Sequence, residues 1–418
     1  MNQQLKNQLT SLKKASYQLH LCSTEERNQA LELIKQTLLD NSSAILKANK
    51  KDLDKMNEND SLYDRLLLDE LRIKGICIEL QNVIDLNDPL NKALEKSEGP
   101  SGIKLKKISV PLGCIGIIYE ARPNVTVDVT SLCLKSGNAV LLRGSSSAYE
   151  SNSVIVNLIQ SALEKSHLPK DSVQLMEPDR ELTKEMLQAN EYLDLIIPRG
   201  SAKLIQYVRE NASVPTIETG ASVVHTFVDK SANIEMACDI IINEKTRRPS
   251  VCNALDTVLV HEDIMSDFVP ALAEKMKDSG VLIHADMGCH QLLHGSYDDA
   301  KLMSDAEDHF NTEFLGLEMN IAVVSDFNTA IEHIRKYSLK HSESIITEDP
   351  LHAERFQKEV DAACVYVNTS TAFSDGAQFG LGSEIGISTQ KLHARGPMGL
   401  EELTSYKWLI NSDGLTRA

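Results

Sequence analysis

Apolar and polar positions in the first part of the chain follow helical spacing, which predicts a series of amphipathic helices over about the first 95 residues. Ser23 and Glu26 have the spacing of a capping box, and Leu31, Ile34 and Leu38 then fall on one face of the following helix. We expect these helices to cover a sheet that a later part of the chain forms.

Two stretches interrupt the helical pattern. The polar residues 49–60 predict a connection between helices. Residues 103–110 alternate apolar side chains with lysines, which is typical of an exposed strand. A second strand is expected at residues 405–410. If these two strands pair, they form an arm suited to contacts between subunits.

After Pro111 the pattern changes to short apolar runs, each followed by a turn and a helix. Repeated strand–turn–helix units predict a parallel sheet with right-handed crossovers, and ligands bind such sheets beyond the carboxyl ends of the strands. The strands expected in a first sheet are Cys114–Tyr119, 139–142 and 193–197. The strands expected in a second sheet are 256–261, 281–284, 321–325, 344–347 and 364–368.

Composition excludes several classes of protein. The 418 residues are 42% hydrophobic and 25% charged, and the formal net charge is −17. This length exceeds what one core normally serves, so two domains are expected. The acidic excess is spread along the chain, which argues against nucleic acid or an anionic membrane as partner. The N-terminus lacks the apolar core of a signal peptide, and no apolar run approaches the ~20 residues that span a bilayer.

The eight cysteines lie at positions 22, 77, 114, 133, 238, 252, 289 and 364. No two of them have C-x-x-C spacing, and no set has the spacing of a zinc site, so we predict no metal site. Reduced thiols in the cytoplasm fit this distribution best.

Cys252 has a sequence context suited to a reactive thiol. A thiolate is a far better nucleophile than a thiol, so a reactive cysteine needs positive charge or backbone donors nearby. Lys245, Arg247 and Arg248 precede Cys252 and are expected to supply that charge. A buried structural cysteine is an equally good interpretation of these residues alone.

Two predicted strand ends carry glycine and serine before a helix. Arg143, Gly144 and Ser145 follow one strand, and Gly200 and Ser201 follow another. Backbone N–H groups at a helix start, together with the helix dipole, form an anion site. We therefore predict that these turns hold the phosphates of a dinucleotide, although neither has the G-x-G-x-x-G fingerprint.

Five motifs carry a resemblance to a known family. They are Glu-Ala-Arg-Pro-Asn-Val-Thr (120–126), Leu-Arg-Gly-Ser-Ser (142–146), Pro-Arg-Gly-Ser (198–201), Thr-Arg-Arg-Pro-Ser-Val-Cys-Asn (246–253) and His-Ala-Arg-Gly-Pro-Met-Gly-Leu (393–400). Over nearly the whole chain the sequence resembles the aldehyde dehydrogenase superfamily, and in particular its branch that reduces gamma-glutamyl phosphate. One departure is Ser338-Leu339-Lys340, which replaces the branch's Gly-Ser-Gly before His341 and puts the turn geometry in question.

The resemblance implies an α/β fold of the aldehyde dehydrogenase type, with two Rossmann-like parallel-sheet domains and a small β oligomerisation arm. Residues 1–102 and 111–220 would form the NADP-binding domain, and residues 221–385 the catalytic domain. Residues 103–110 and 386–418 would form the arm.

The activity that the resemblance implies is NADPH-dependent reduction of L-gamma-glutamyl 5-phosphate to L-glutamate 5-semialdehyde, with release of phosphate, as a step of proline biosynthesis. Cys252 would attack the acyl phosphate and form a thioester, which hydride from NADPH then reduces. Both steps pass through an oxyanion that needs preorganised donors. Asn124 matches the superfamily's oxyanion asparagine, and the N–H of Cys252 would be the second donor.

The resemblance also suggests where the ligands bind. Arg143 matches the position that binds the nucleotide ribose, and its planar guanidinium suits the 2′-phosphate of NADPH. Glu313 matches the glutamate that binds the nicotinamide ribose, and a solvated loop carboxylate is the alternative interpretation. The candidate partners for the charged groups of this small-molecule substrate are Arg122, Arg248, His393 and Arg395.

Several alternatives remain open. Glu218 precedes Cys252 at a spacing similar to that of the general base in hydrolytic aldehyde dehydrogenases, so a water-dependent enzyme is one alternative. A phosphorylating enzyme gains nothing from such a base, and Glu218 then only shapes the pocket. Two further alternatives are an aldehyde dehydrogenase that uses coenzyme A as acceptor and a catalytically silent relative that acts as a binding protein. A homo-oligomer is expected, as is a transient contact with glutamate 5-kinase, which would deliver the labile acyl phosphate.

Overall fold

The computed structural model describes residues 1–57, 60 and 63–417. Within that part of the chain, no helix combines the length and the apolar character needed to cross a bilayer. The connection predicted at 49–60 is shorter than expected, because the helix Ser42–Leu53 continues into it. Residues 58 and 59 of that prediction lie outside the described residues.

The chain forms two compact units. The first contains the described residues of 1–219, 380–386 and 392–417, and the second contains those of 220–379 and 387–391. The chain therefore changes unit several times after residue 379, where the sequence suggested a single boundary at 385. Hydrophobic periodicity does not show which unit such a short segment joins, because this depends on contacts between residues distant in sequence.

The first unit begins with helices and continues with alternating strands and helices. Its helices up to residue 219 are α1 Gln3–Leu19, α2 Thr24–Asp40, α3 Ser42–Leu53, α4 Tyr63–Leu66, α5 Glu70–Asp85, α6 Pro123–Lys135, α7 Tyr149–Leu163, α8 Arg180–Leu187 and α9 Ala202–Asn211. Its strands there are β1 Ala93–Glu98, β2 Lys104–Pro111, β3 Cys114–Tyr119, β4 Ala139–Arg143, β5 Val173–Leu175 and β6 Leu195–Arg199.

The second unit repeats the alternation of strands and helices. Its strands are β7 His225–Val228, β8 Thr257–His261, β9 Leu282–Ala285, β10 Leu302–Met303, β11 Glu318–Val324, β12 Ser342–Ile346, β13 Cys364–Val367 and β14 Ile387–Ser388. Its helices are α10 Ile234–Thr246, α11 Met265–Met276, α12 Met287–Leu293, α13 Ala306–His309, α14 Phe327–Tyr337 and α15 Pro350–Glu359. The last strands of the chain belong to the first unit and are β15 Gly396–Pro397 and β16 Thr404–Asn411.

The sheet of the first unit is parallel and has the strand order β5-β4-β3-β6. The chain builds outward on one side of β3 and then returns to place β6 on the other side, so the order reverses at β3. The register aligns Ile118 with Arg143 and Tyr119 with Arg199. The segments that follow β3, β4 and β6 thus leave the sheet at one edge, which is the ligand edge of such a sheet.

Strand β3 is buried along its whole length. Ile115 and Ile117 pack into a cluster that includes α2, α5, α6 and α7, and Cys114 and Ile118 pack into a second cluster with α1, α8 and α9. A strand covered by helices on both faces needs apolar side chains in both directions, which explains the uninterrupted apolar run. The N-terminal helices cover the sheet as the sequence predicted.

The arm is a small antiparallel sheet with the order β1-β2-β16. The pairing of β16 with β2 aligns Thr404 with Pro111 and Asn411 with Lys104, so the pairing that the sequence suggested is confirmed. Strand β1 was not predicted, because its residues are exposed and give no apolar alternation. A role of the arm between subunits stays a prediction.

The sheet of the second unit is parallel, with the order β10-β9-β11-β8-β7-β12-β13. Val258 and Val260 of β8 pack into one hydrophobic cluster and Leu259 into another, so helices cover both faces here too. Strand β7 was missed by the sequence analysis. It begins with His225 and Thr226, polar residues that are nevertheless fully buried in this sheet.

The turn after α14 contains the departure from the family pattern. Lys340 adopts a left-handed φ of 67°, a conformation that costs a non-glycine residue roughly 1–2 kcal/mol. The N–H of Lys340 donates to Ser338 Oγ at 2.8 Å, and Lys340 Nζ lies 3.2 Å from an Asp361 carboxylate oxygen. The turn therefore forms without glycine and leads directly through His341 into β12.

Candidate active site

Cys252 lies in the turn region between α10 and β8 and is partly exposed. Six other cysteines are buried. Burial raises the pKa of Cys114 and of Cys238 to about 11, so these thiols stay protonated at neutral pH. A protonated, buried thiol is a poor nucleophile. The candidates for a nucleophilic cysteine are therefore the two that are partly exposed, Cys22 and Cys252.

Cys22 is the other partly exposed cysteine. It follows α1, and its thiol donates to the Gln18 carbonyl at 3.5 Å. Burial, reinforced by the nearby Glu26 carboxylate, raises the pKa of Cys22. Cys252 is therefore the thiol best placed for nucleophilic chemistry.

The residue after Cys252 anchors its loop. Asn253 is buried, and its Nδ2 donates to the backbone carbonyl of Ser374 at 2.8 Å. Thr371 Oγ1 donates to the backbone carbonyl of Asn253, also at 2.8 Å. These hydrogen bonds tie the loop that carries Cys252 to the short turn Thr371–Phe373.

A buried network of hydroxyl groups continues behind that turn. Ser374 Oγ lies 2.6 Å from Ser342 Oγ and 2.8 Å from the Tyr366 hydroxyl. Ser342 Oγ also lies 2.8 Å from His341 Nδ1. Burial lowers the pKa of His341 to about 4, so the imidazole is neutral at physiological pH. His341 thus supports the cysteine loop through a chain of hydrogen bonds and not through charge.

The basic residues before Cys252 are arranged differently from the prediction. Lys245 is fully buried, and its Nζ donates to the backbone carbonyl of Glu318 at 2.7 Å. Burial lowers the pKa of Lys245 to about 8, although Asp256 and Glu318 favour the ammonium form. Lys245 thus directs its ammonium into the interior of the unit. Arg247 and Arg248 are exposed.

Asn124 lies in the first turn of α6, immediately after the proline that begins the helix. Its Nδ2 donates to Asp128 Oδ2 at 3.0 Å, one helical turn further on. Burial, reinforced by Glu79, raises the pKa of Asp128 to about 7, against the opposing effects of Arg199 and of the hydrogen bond from Asn124. One N–H of the Asn124 amide is thereby held, which fixes the direction of the other.

Arg143 ends β4 at the ligand edge of the sheet and is partly exposed. Its Nε donates to Thr183 Oγ1 at 3.0 Å and its Nη1 to the Gly144 carbonyl at 3.3 Å. A Cβ atom on Gly144 would lie 2.3 Å from Asn152 Nδ2, so only glycine fits there. Ser145 Oγ accepts from the N–H of Ser147 and caps the following short turn.

The turn after β6 already holds a carboxylate. The N–H and the hydroxyl of Ser201 both donate to Glu120 Oε1, at 3.0 and 2.8 Å. A Cβ atom on Gly200 would lie 2.6 Å from the same carboxyl group. The start of α9 therefore binds the chain's own Glu120 carboxylate, and its binding of cofactor phosphates stays a prediction. A cofactor phosphate that used Ser201 would have to displace that carboxylate.

The two candidate carboxylates have defined partners. Glu313 accepts from the N–H of Ser222 at 3.2 Å and from its hydroxyl at 2.9 Å, and burial raises the pKa of Glu313. A fully solvated loop carboxylate is therefore the weaker interpretation of Glu313. Glu218 is largely buried, and its Oε2 lies 3.5 Å from Arg209 Nη1 on α9.

The candidate substrate residues fall in both units. Arg122, His393 and Arg395 belong to the first unit and Arg248 to the second. His393 is exposed, and its Nε2 donates to the backbone carbonyl of Glu402 at 2.7 Å. Arg122 is partly exposed, whereas Arg248 and Arg395 are exposed. A role of these four residues in substrate binding stays a prediction.

Three supporting residues were missed by the sequence analysis. Glu120 and Asn253 lie inside two of the five motifs. Their contacts are with residues distant in sequence, and such contacts cannot be inferred from one segment. The contact of Asp128 with Asn124 could have been predicted, because the two residues lie four positions apart on a predicted helix and side chains at that spacing meet.

Comparisons with known proteins agree with this architecture. The model of the aldehyde dehydrogenase family matches residues 3–290. The gamma-glutamyl phosphate reductase of Chlorobium limicola is 51% identical over 418 residues, which is 100% of both chains. That of Bacteroides fragilis is 52% identical over 413 residues, or 99% of both chains. The crystal structure of the Thermotoga maritima gamma-glutamyl phosphate reductase has a TM-score of 0.95 at 44% identity and covers 99% of this chain and 100% of that one.

Proposed function

The chain belongs to the aldehyde dehydrogenase family and, within it, to the gamma-glutamyl phosphate reductases, and from this premise we propose that it reduces L-gamma-glutamyl 5-phosphate to L-glutamate 5-semialdehyde with release of phosphate. This reaction is a step of proline biosynthesis. The observation that carries the proposal is Cys252, an accessible thiol on a loop held by the buried Asn253.

We assign Cys252 the role of nucleophile. Its thiolate sulfur forms a bond to the acyl carbon, the carbon–oxygen bond to phosphate breaks, and phosphate leaves with the electron pair, which gives a thioester. A nicotinamide cofactor, when bound, supplies the hydride that reduces this thioester. The sulfur of Cys252 then leaves the tetrahedral carbon with the bonding electrons, which frees the aldehyde and restores the thiolate.

We assign Asn124 the role of oxyanion donor. Negative charge develops on the substrate oxygen in both addition steps, and a preorganised N–H stabilises it without reorganisation. The hydrogen bond to Asp128 holds one amide proton of Asn124 and leaves the second for the substrate. The backbone N–H of Cys252 is the second donor in this proposal.

We propose NADPH as the form of the cofactor. Among the described residues the hydrogen bonds of Arg143 use Nε and Nη1, and the two N–H groups of Nη2 remain for a 2′-phosphate. Gly144 and Ser145 form the adjoining turn, and Glu313 would accept from the nicotinamide ribose. Gly200 and Ser201 are assigned to the cofactor phosphates on the condition that Glu120 moves away.

Replacing Arg143 with alanine is expected to raise the KM for NADPH by about 10–100-fold, because a charge-assisted hydrogen bond contributes about 1.5–3 kcal/mol. The KM for NADH should change much less, since that cofactor lacks the 2′-phosphate. Initial rates with both cofactors measure the ratio. Arg143→Lys keeps the charge and loses the planar guanidinium, so its KM for NADPH should lie between those of the parent protein and of Arg143→Ala. Equal losses with NADPH and NADH would refute this assignment.

The alternative of water as acceptor has less support. A general base needs a carboxylate free to take a proton from water, and the Glu218 carboxylate pairs with Arg209. We therefore assign Glu218 a structural role. Arg122, Arg248, His393 and Arg395 are assigned to the carboxylate and phosphate of the substrate.

The proposed reaction is tested by running it in reverse. Purified protein is mixed with glutamate 5-semialdehyde and NADP⁺, and formation of NADPH is followed by absorbance. We expect steady turnover only when inorganic phosphate is present, because phosphate must release the thioester. Coenzyme A in place of phosphate is expected to give no turnover. Turnover that ignores phosphate would show hydrolysis and return Glu218 to the role of base.

The remaining assignments concern the surroundings of the enzyme. We propose a cytoplasmic homo-oligomer whose subunits meet through the arm, and a transient contact with glutamate 5-kinase. The exposed aromatic side chains Tyr406 and Trp408 on β16 support the first assignment. Light scattering of the protein, with Trp408→Lys for comparison, tests whether the arm holds the oligomer. An oligomer that the substitution leaves intact would count against it.

A further inference from the structure

A second cluster of ionisable side chains lies in the second unit and is not used by the proposed reaction. His284, Asp305 and His309 place one ligand atom each within 4.8 Å of the others. His284 is 5% exposed, and Asp305 and His309 are 39% and 33% exposed. The cluster therefore has one buried anchor and an open side that solvent can reach.

The sheet brings these residues together. Strand β9 carries His284 and lies between β10 and β11. Glu318 of β11 is aligned with Leu282, so Glu318 and His284 project from the same face of neighbouring strands. Asp305 and His309 follow β10 and are four residues apart, on one side of the short helix α13.

Both ring nitrogens of His284 face carboxylates. Nε2 lies 2.8 Å from Glu318 Oε1, and Nδ1 lies 2.6 Å from Asp305 Oδ1. A neutral imidazole has only one N–H, so it can donate to only one of these oxygens. The lone pair of the other nitrogen would then face a carboxylate oxygen. A cation bound between that nitrogen and the carboxylate oxygen removes this conflict.

The Glu318 contact has the form of an outer-shell interaction of a metal site. Metal-binding histidines almost always donate their second N–H to a carboxylate or carbonyl, which fixes the tautomer and the ring plane. Phe314 also stacks on the His284 ring, with centroids 5.5 Å apart and planes 7° apart. The backbone N–H of Phe314 is held by Asp256 Oδ1 at 3.1 Å. The His284 ring is therefore oriented from two sides before any ligand arrives.

We propose that His284 Nδ1, a carboxylate oxygen of Asp305 and a ring nitrogen of His309 bind one divalent transition-metal ion of the zinc class, with a water molecule in the fourth position. Two imidazoles and a carboxylate are a ligand set that suits zinc, cobalt or nickel rather than magnesium or calcium. Bonds of about 2.0–2.1 Å separate tetrahedral ligand atoms by roughly 3.4 Å. Rotations of the partly exposed Asp305 and His309 side chains would lengthen the 2.6 Å contact between His284 Nδ1 and Asp305 and bring the three ligand atoms to that spacing.

The test measures metal binding by the full chain, independently of activity. Protein with Cys22→Ser and Cys252→Ser, which removes both partly exposed thiols as competing ligands, is stripped with a chelator and dialysed against Zn²⁺ or Co²⁺. We expect one bound ion per chain and, with Co²⁺, the intense visible absorption of a tetrahedral site without sulfur-to-metal charge transfer. Because the thiolate is absent, the result does not depend on whether the proposed reaction is correct.

Three substitutions make the test specific. His309→Ala removes an exposed ligand and should abolish the tetrahedral Co²⁺ spectrum. Glu318→Gln leaves the ligands and should weaken binding by about 10–100-fold. His294→Ala is the matched control, because His294 pairs with Asp299 at 3.1 Å on the surface of the same unit, and it should change nothing. Thermal unfolding of each variant shows that it is folded.

Two results would overturn the proposal. One is the absence of stoichiometric Zn²⁺ or Co²⁺ binding by the protein that lacks both partly exposed thiols. The other is binding that His309→Ala and Glu318→Gln leave unchanged. Either result would leave His284 as a side chain that contacts two carboxylates without binding a metal ion.

Discussion

Replacing Cys252 with alanine is expected to lower kcat by about 10⁴-fold or more, the scale on which enzymes lose activity without their covalent nucleophile. Without the sulfur no thioester forms, and hydride has no activated acyl group to reduce. The side chain is small and partly exposed, so we expect the free energy of unfolding to change by less than about 1 kcal/mol. Steady-state rates and thermal unfolding measure the two effects.

Cys22→Ala is the matched control for this substitution. Cys22 is the other partly exposed thiol, and it lies beside α1 in the first unit. Its replacement should leave kcat and KM near those of the parent protein. If Cys252→Ala kept more than a few per cent of the activity and Cys22→Ala lost it, the nucleophile would be Cys22 and not Cys252.

Replacing Asn124 with alanine is expected to lower kcat by about 10²–10³-fold, the effect of removing one oxyanion donor. The KM for gamma-glutamyl phosphate should change little, because the donor acts on charge that develops only in the transition state. Cofactor binding, measured by fluorescence of bound NADPH, should also be unchanged. The separation of kcat from KM distinguishes loss of a donor from a general disturbance of the site.

Asn211→Ala is a suitable comparison for Asn124→Ala. Asn211 lies in α9 of the same unit, and its Nδ2 also bonds within its helix, to the Tyr207 carbonyl at 2.8 Å. The two substitutions remove the same kind of side chain from a helix, and only the first removes a proposed donor. If both variants lost activity equally, or if Asn124→Ala raised KM and spared kcat, the oxyanion role would be refuted.

Much of the fold followed from hydrophobic patterning, for identifiable reasons. Strand β3 was predicted with its observed ends, because helices cover both of its faces and every position is buried. Strand β7 was missed because its first residues are polar. Partners distant in sequence contact them, since His225 Nδ1 lies 3.0 Å from Glu343 and Thr226 donates to Glu244 at 2.8 Å. A pattern within one segment does not contain such partners.

The site was predictable in its residue types and less so in its contacts. Cys252 and Asn124 were proposed from local context and from motifs. The structure shows that Asn253, the residue after Cys252, is anchored by hydrogen bonds and that Asn124 donates to Asp128. The position of Lys245 was predicted poorly, because helical spacing did not show that its ammonium is buried toward Glu318. Burial of a charged end depends on which strand packs beside the helix.

The His284 cluster illustrates the same limit on a larger scale. No cysteine spacing in the sequence matches a metal site, so none was predicted. His284, Asp305 and Glu318 become neighbours only because β9 lies beside both β10 and β11, an order that does not follow the chain. Strand order is a property of the whole sheet, so the cluster first becomes visible in the structure.

The central claim is that Cys252 carries the substrate as a thioester, and a rapid-mixing experiment without phosphate tests it most directly. Glutamate 5-semialdehyde and NADP⁺ are mixed with the protein, and the NADPH formed in the first turnover is counted. We expect a burst of one NADPH per active site, followed by little further reaction, with the glutamyl group on the peptide that contains Cys252. A burst that is absent while phosphate still supports turnover, or an adduct on another residue, would contradict the account.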